Sequence, residues 1–141
     1  LIEPQSGEIL YNGSLIERFD LFETIVQSLK WVRISIDAGE PETYDNLRKT
    51  NNKNNFLVVM KNIKKLISFK KKFNSEIVIG VGFVVTEDNY KEIKTFAKLF
   101  EHIDVDYCQF KPEIIQIERE KISCCLVIHF TCDLIEGVLK S

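Results

Sequence analysis

The sequence lacks any long apolar segment and any excess of charge of one sign. No apolar run approaches the ~18 residues of a membrane-spanning helix, so we expect no membrane contact. The net charge is −2, from 19 basic and 21 acidic residues. Such a balance produces no overall field that would attract nucleic acid. A lysine cluster on a predicted helix consists of Lys61, Lys64, Lys65 and Lys70–Lys72. It is interpreted as a solvated face, because no aromatic residues alternate with it for base stacking.

Cysteine pairs at metal-binding spacing are also lacking. The four cysteines are Cys108, Cys124, Cys125 and Cys132. They form no Cys-x-x-Cys pair, so we predict no zinc site and interpret them as buried, reduced thiols. Reduced thiols are typical of a cytoplasmic protein, which is the location we expect. The chain has 141 residues, of which 45% are hydrophobic, and this is enough for one domain with a core.

Residues 31–39 have the period-two pattern of a β-strand with one apolar and one polar face. Val32, Ile34 and Ile36 alternate with polar residues. The polar residues are Arg33, Ser35 and Asp37. A polar second face suits a strand that lines a cavity, with Asp37 near the carboxyl end, where α/β folds bind ligands. An antiparallel strand with one face in water is the alternative interpretation.

Two later segments repeat this two-faced pattern. The predicted strand at 76–85 places Gly80 and Gly82 on one side, and the predicted strand at 105–112 places Tyr107, Gln109 and Lys111 on one side. Glycines inside a strand mark close approach of a ligand or another backbone, or a bulge that needs small residues. Both interpretations of the two glycines stay open.

Helix-period segments separate these strands, and the first predicted helix begins after Ser14. The order of strand and helix alternates from residue 8 to residue 112, which predicts parallel strands with right-handed crossovers. An open doubly wound sheet would bury both faces of its strands. The polar face therefore favours an α/β fold of another kind, a partial (β/α) TIM-like barrel. Within residues 113–141, the segment 124–130 is either a strand or a buried helical turn.

Four segments resemble the radical S-adenosylmethionine (radical SAM) enzymes. They are Tyr11-Asn12-Gly13-Ser14-Leu15 and residues 32–39, 77–83 and 105–112, which are similar to that family's third to sixth strands. Pro41-Glu-Thr-Tyr44, Arg48 and Thr86-Glu-Asp-Asn-Tyr90 extend the likeness. The resemblance implies a six-stranded partial barrel, with four of the six strands in residues 1–112. Residues 113–141 would then be a carboxyl-terminal extension of the same domain.

The resemblance also implies an activity. In this family an iron–sulfur (4Fe–4S) cluster reductively cleaves S-adenosylmethionine to methionine and a 5′-deoxyadenosyl radical, which abstracts a hydrogen atom from the substrate. A reductant such as flavodoxin or ferredoxin and a small-molecule or peptide substrate would be the partners. By position, the residues that bind S-adenosylmethionine would be Asn12, Ser35, Asp37, Gly80, Gly82 and Gln109. The residues on the substrate side would be Arg33, Tyr107 and Lys111.

The sequence departs from the family in lacking the Cys-x-x-x-Cys-x-x-Cys cluster motif and the Gly-Gly-Glu-Pro stretch. We therefore expect the carboxyl-terminal part of a longer enzyme, which alone binds no cluster and is inactive. Such a piece is expected to self-associate through an exposed strand edge. Two alternatives stay open. One is a lyase or aldolase barrel in which Lys111 forms a Schiff base; the other is a non-catalytic module that binds a nucleoside or small acid.

Overall fold

Five strands and four α-helices make up the part of the chain that the computed structural model describes, residues 10–11, 13–48, 54–113 and 128–130. The strands are β1 (Leu10–Tyr11), β2 (Trp31–Ser35), β3 (Val78–Val85), β4 (Tyr107–Pro112) and β5 (Ile128–Phe130). The helices are α1 (Phe22–Ser28), α2 (Pro41–Arg48), α3 (Asn55–Lys72) and α4 (Ile93–Glu101). A 3₁₀ turn, Tyr90–Glu92, leads into α4.

The strands form one sheet in the order β1-β2-β3-β4-β5. The first four are parallel, and β5 runs antiparallel to β4. Each parallel neighbour is reached through a helical crossover, as alternating strands and helices require. The predicted α/β fold with parallel strands is confirmed, and the alternative of an antiparallel β2 is wrong. The sheet is not closed, since β1 and β5 lie at its opposite ends.

The apolar face of the sheet carries the core. Val32, Ile34, Ile79 and Val81 are fully buried, and Phe83 is nearly so. The ring of Phe83 lies 4.9 Å from that of Phe96 on α4, centroid to centroid, in an edge-to-face contact. Burial of side chains of this size contributes about 1.5–3 kcal/mol each. One face of the sheet is thereby fixed against helices, and its other face is left for polar residues.

The predicted start of the first helix is wrong. Residues 14–20 form turns, and α1 begins only at Phe22. The N–H of Leu21 bonds to the carbonyl of Ile16 at 3.0 Å, and Asp20 has a left-handed φ of 48°. This geometry ends the turn before the helix begins. As a result Phe19, which a helix begun after Ser14 would place on the same buried face as Phe22, is 58% exposed.

The lysine cluster lies on α3. Lys61 and Lys65 pair with Glu17, while Lys70 pairs with Asp106 and Lys71 pairs with Asp104, with N–O distances of 2.6–3.6 Å. Exposed pairs of this kind contribute at most about 1 kcal/mol each. These four lysines therefore lie on an outer face, each of them paired with a carboxylate. Within the described ranges, no helix combines the length and apolarity needed to cross a membrane.

Candidate functional site

The polar residues of β2, β3 and β4 lie in aligned rows. One row contains Arg33, Gly80 and Tyr107. The next row, nearer the carboxyl ends, contains Ser35, Gly82 and Gln109, and beyond it Val84 is level with Lys111. Alternation along each strand directs residues of one row to the same face. The structure therefore brings together Arg33, Ser35, Tyr107 and Gln109 around the two glycines.

The space over Gly80 is filled by the ring of Tyr107. A Cβ built on Gly80 would lie 2.2 Å from Cζ and 2.4 Å from Cε1 of that ring. Any side chain at position 80 would therefore displace the tyrosine. The glycine at this position is required by the packing of the protein's own ring against the β3 backbone.

The space over Gly82 is more open. A Cβ built there would lie 3.5 Å from Cδ of Arg33 and 3.7 Å from the hydroxyl oxygen of Ser35, which are ordinary contact distances. A methyl-sized group therefore fits against β3 at this point without displacing a neighbour. The stem of Arg33 and the hydroxyl of Ser35 border this space.

A side-chain bridge crosses the sheet beside Gly82. The Nη1 group of Arg33 donates a hydrogen bond of 2.6 Å to Oε1 of Gln109. These residues lie two strands apart, about 10 Å in a sheet. The bridge is possible because position 82 between them carries no large side chain. Hydrogen bonds from a charged donor are stronger than neutral ones, so the guanidinium is held over the middle of the sheet.

Asp37 lies just beyond β2 and joins three elements. Its Oδ1 accepts a hydrogen bond from the N–H of Val84 at 2.8 Å, and its Oδ2 accepts one from Nη2 of Arg48 at 2.7 Å. Arg48 also donates to the carbonyl of Ser35 at 2.9 Å. Burial raises the pKa of Asp37, and the bonds from Val84 and Arg48 oppose that rise. In this arrangement the carboxylate anchors β2 to β3 and α2, and both its oxygens are engaged by the protein.

Asn89 and Glu92 are two further residues at this edge that sequence reasoning missed. Asn89 is fully buried, and its amide donates to the carbonyls of Asp37 at 2.9 Å and Val84 at 2.8 Å. Glu92 accepts the N–H groups of Gly39 at 2.7 Å and Glu40 at 3.1 Å. The hydroxyl of Thr43 donates to the same carboxylate. Sequence patterns mark Asn89 only as part of a helix start and give no signal for Glu92.

Lys111 lies at the carboxyl end of the polar face, where it is half-buried. Val85 and Pro112, which alternate to the opposite face of the sheet, line a surface depression. The depression has a volume of about 360 Å³ and is lined by Val85, Thr86, Glu87, Tyr90, Pro112 and Glu113. It adjoins the carboxyl ends of β3 and β4, the edge at which parallel α/β sheets bind ligands. The surface of its walls is mainly apolar.

The described residues do not fit an iron–sulfur cluster. Among them, no group of three or more His, Cys, Asp or Glu side chains is placed to hold a metal ion. Cys108 is buried on the apolar side of β4, in register with Val81. The other cysteines and Asn12 lie outside the described residues. We therefore assign no chemical step to a cluster held by these residues.

Comparison with known proteins does not place the chain in a family. No protein-family model matches the sequence, and no curated protein matches it. A function is therefore inferred from the geometry of the polar face and from the resemblance of its strands.

Proposed function

We propose that residues 10–113 form the carboxyl-terminal part of a radical SAM barrel, whose polar sheet face binds S-adenosylmethionine. The observation that carries the proposal is the aligned row of Ser35, Gly82 and Gln109, with room against the β3 backbone. A barrel of parallel strands would have this face as its lumen, with the row near the carboxyl ends of the strands.

The groups in this row suit a nucleoside that carries an amino acid. The hydroxyl of Ser35 donates and accepts, as ribose hydroxyls and amino-acid groups require. The amide of Gln109 supplies a donor of the kind that adenine ring nitrogens accept. Gly82 lets a planar or bulky group approach the strand backbone closely. Arg33, Tyr107 and Lys111 flank the row and would face the substrate.

S-adenosylmethionine supplies a carbon-centred radical when it is cleaved at a reduced iron–sulfur cluster in a complete enzyme of this family. The residues described here would bind and orient the nucleoside and exclude water from it. A reductant such as flavodoxin or ferredoxin and a small-molecule or peptide substrate belong to the same proposal, as does a cytoplasmic location. The chain by itself is proposed to bind the cofactor without cleaving it.

Calorimetric titration of the chain with S-adenosylmethionine tests the proposal, with ATP and methylthioadenosine as comparison ligands. We expect binding to the first and a rise in melting temperature that follows its concentration. Gly82→Val, which fills the space over β3, should weaken binding at least about tenfold, which is 1.4 kcal/mol. Val78→Ala, on the same face of β3, is the matched control and should bind as the wild type does.

Three results bear against the proposal in different ways. A wild-type chain that binds none of the ligands contradicts it. Equal binding of all three would favour a non-catalytic nucleoside module. A stable, stoichiometric iron–sulfur absorption band after anaerobic reconstitution of this chain would contradict the expectation that it holds no cluster.

A further inference from the structure

Two loops at the carboxyl ends of β2 and β3 are joined by a set of hydrogen bonds that we name the loop clasp. Its members on the β3–α4 connection are Asn89 and Glu92. Its partners on the β2 side are Asp37, Gly39, Glu40 and Thr43. About fifty residues of chain separate the two sides, so the clasp is tertiary structure and no local turn requires it.

Glu92 occupies a central place in the clasp because one carboxylate meets three donors. Two are backbone N–H groups that precede α2, and the third is the hydroxyl of Thr43 in its first turn. The N–H groups at the start of a helix have no partner within the helix, and a negative carboxylate placed there interacts favourably with the helix dipole. Glu92 therefore fixes where α2 begins and how it is directed.

The backbone on the two sides of the clasp is in close contact. A Cβ built on Gly39 would lie 3.0 Å from the carbonyl oxygen of Glu92 and 3.0 Å from the nitrogen of Phe96. Such contact leaves little freedom for α2 to shift against α4. Asp37, two residues earlier, is held at a left-handed φ of 61°, which a non-glycine residue adopts only when its surroundings impose it.

Helix α2 connects the loop clasp to the polar face of the sheet. Arg48, in the last turn of α2, donates to the carboxylate of Asp37 and to the carbonyl of Ser35. Ser35 is the β2 member of the row that contains Gly82 and Gln109. A shift of α2 would therefore move the Arg48 guanidinium and release both contacts at the end of β2.

We propose that Glu92 is a positioning residue, which holds α2 in place. Arg48 and Asp37 can then keep the end of β2 aligned with the row of Ser35, Gly82 and Gln109. Glu92 does not itself reach the row and acts through α2. The part of this inference that concerns binding rests on the proposed function. The part that concerns the end of β2 is independent of any ligand.

Amide hydrogen exchange followed by NMR tests the independent part. The reporter is the N–H of Val84, which bonds to Asp37 and makes no bond to Glu92. In Glu92→Ala we expect this N–H to exchange about tenfold faster, the effect of weakening its one hydrogen bond to Asp37. Glu92→Gln keeps one acceptor oxygen and should give an intermediate rate. Glu87→Ala removes an exposed carboxylate from the same connection and should leave the rate unchanged.

Thr43→Val provides a milder variant should Glu92→Ala fail to fold, since it removes a single member of the clasp. It should also raise the exchange rate of Val84. If both variants leave the Val84 rate unchanged, or raise it only by the factor measured for global unfolding in urea, the inference is overturned.

The binding part is tested with S-adenosylmethionine at a temperature at which each variant is fully folded. We expect the dissociation constant to rise in the order wild type, Glu92→Gln, Glu92→Ala, with Glu87→Ala equal to the wild type. If the wild type and the three variants have the same dissociation constant while the exchange of Val84 is raised, the clasp contributes to stability alone and the positioning role is overturned. A wild-type chain that binds no S-adenosylmethionine overturns the proposed function, while the exchange of Val84 still decides the inference.

Discussion

Arg33 on β2 donates a hydrogen bond to Gln109 on β4 across the intervening strand, with an N–O distance of 2.6 Å. Gln109 is 7% exposed, so its amide is removed from water and depends on partners in the protein. The bridge joins two strands that do not pair with each other. It thereby stabilises the polar face independently of the backbone ladder.

Removal of this bridge should destabilise the chain. Gln109→Leu removes the part-buried hydrogen bond between the two side chains, and we expect a loss of about 1–3 kcal/mol in the free energy of unfolding. Arg33→Met, which keeps the apolar stem, should cost a similar amount, and the double variant should cost less than the sum. Urea unfolding measures the free energy of unfolding of the wild type, the two single variants and the double variant. Lys111→Met, on the same face of the sheet, is the control. Strictly additive losses would show that the two side chains are not coupled.

The two glycines of β3 should respond differently to substitution by alanine. In Gly80→Ala the new Cβ collides with the Tyr107 ring, and overpacking of this kind costs about 1–3 kcal/mol. In Gly82→Ala the Cβ meets only ordinary contacts, so stability should change by less than about 1 kcal/mol. Thermal unfolding compares the two variants directly. In a Tyr107→Ala background the cost of Gly80→Ala should largely disappear; an undiminished cost would show that the ring is not its cause.

The pH dependence of stability should reveal the partly buried carboxyl of Asp37. Burial raises the pKa of Asp37 above its ordinary value of 3.8, so the folded chain holds this proton more tightly than the unfolded chain does. The stability that Asp37 contributes is then fully present below pH 3.8 and is lost as the pH rises through the folded pKa. The unfolding free energy of the wild type, minus that of Asp37→Asn, should fall across this window and then stay level.

Asp104→Asn is a contrasting control for the Asp37 measurement. The hydrogen bond from Lys71 lowers the pKa of Asp104 below 3.8. Its contribution to stability is therefore present above pH 3.8 and is lost as the pH falls through the folded pKa. The unfolding free energy of the wild type minus that of each variant should therefore change with pH in opposite directions for Asp37→Asn and Asp104→Asn. A change in the same direction for both, or no change for Asp37→Asn, would contradict the directions assigned to the two pKa values.

Self-association of the chain stays a prediction, and the structure suggests where to test it. Val78 and Val84 lie on the polar face of β3 and are 40% and 36% exposed, and β1 is an end strand of the sheet. Exposed apolar side chains and an end strand each favour contact between copies. Light scattering should show a mass that rises with concentration and rises less in Val84→Lys. A monomer at all concentrations would contradict this expectation.

The two faces of the sheet could be predicted because strand alternation is a local property. Val32, Ile34 and Ile36 lie buried, and Arg33 and Ser35 lie on the opposite face, as period two requires. The order of elements then predicted the parallel topology. A close approach was one of the two interpretations left open for Gly80, and the group that approaches is the protein's own Tyr107 ring.

The role of Asp37 and the existence of the loop clasp could not be predicted in the same way. The contacts of Asp37 with Val84 and Asn89 join positions about fifty residues apart, and single carboxylates and amides have no periodic signal. The start of α1 was missed because a left-handed residue, Asp20, interrupts an otherwise helical pattern. The strand Ile128–Phe130 has three residues, which is too short for periodicity to distinguish a strand from a helical turn.

The reversed direction of β5 has a consequence for how this architecture can grow. Its pairing of Ile128 with Phe110 and of Cys108 with Phe130 uses the side of β4 that a further parallel unit would need. Among the described parallel strands, β1 is the one with a side that no other described strand occupies, so a further parallel β/α unit would extend the sheet beside Leu10–Tyr11. Evolution by duplication of such units would leave the β4 side constant and vary the opposite flank.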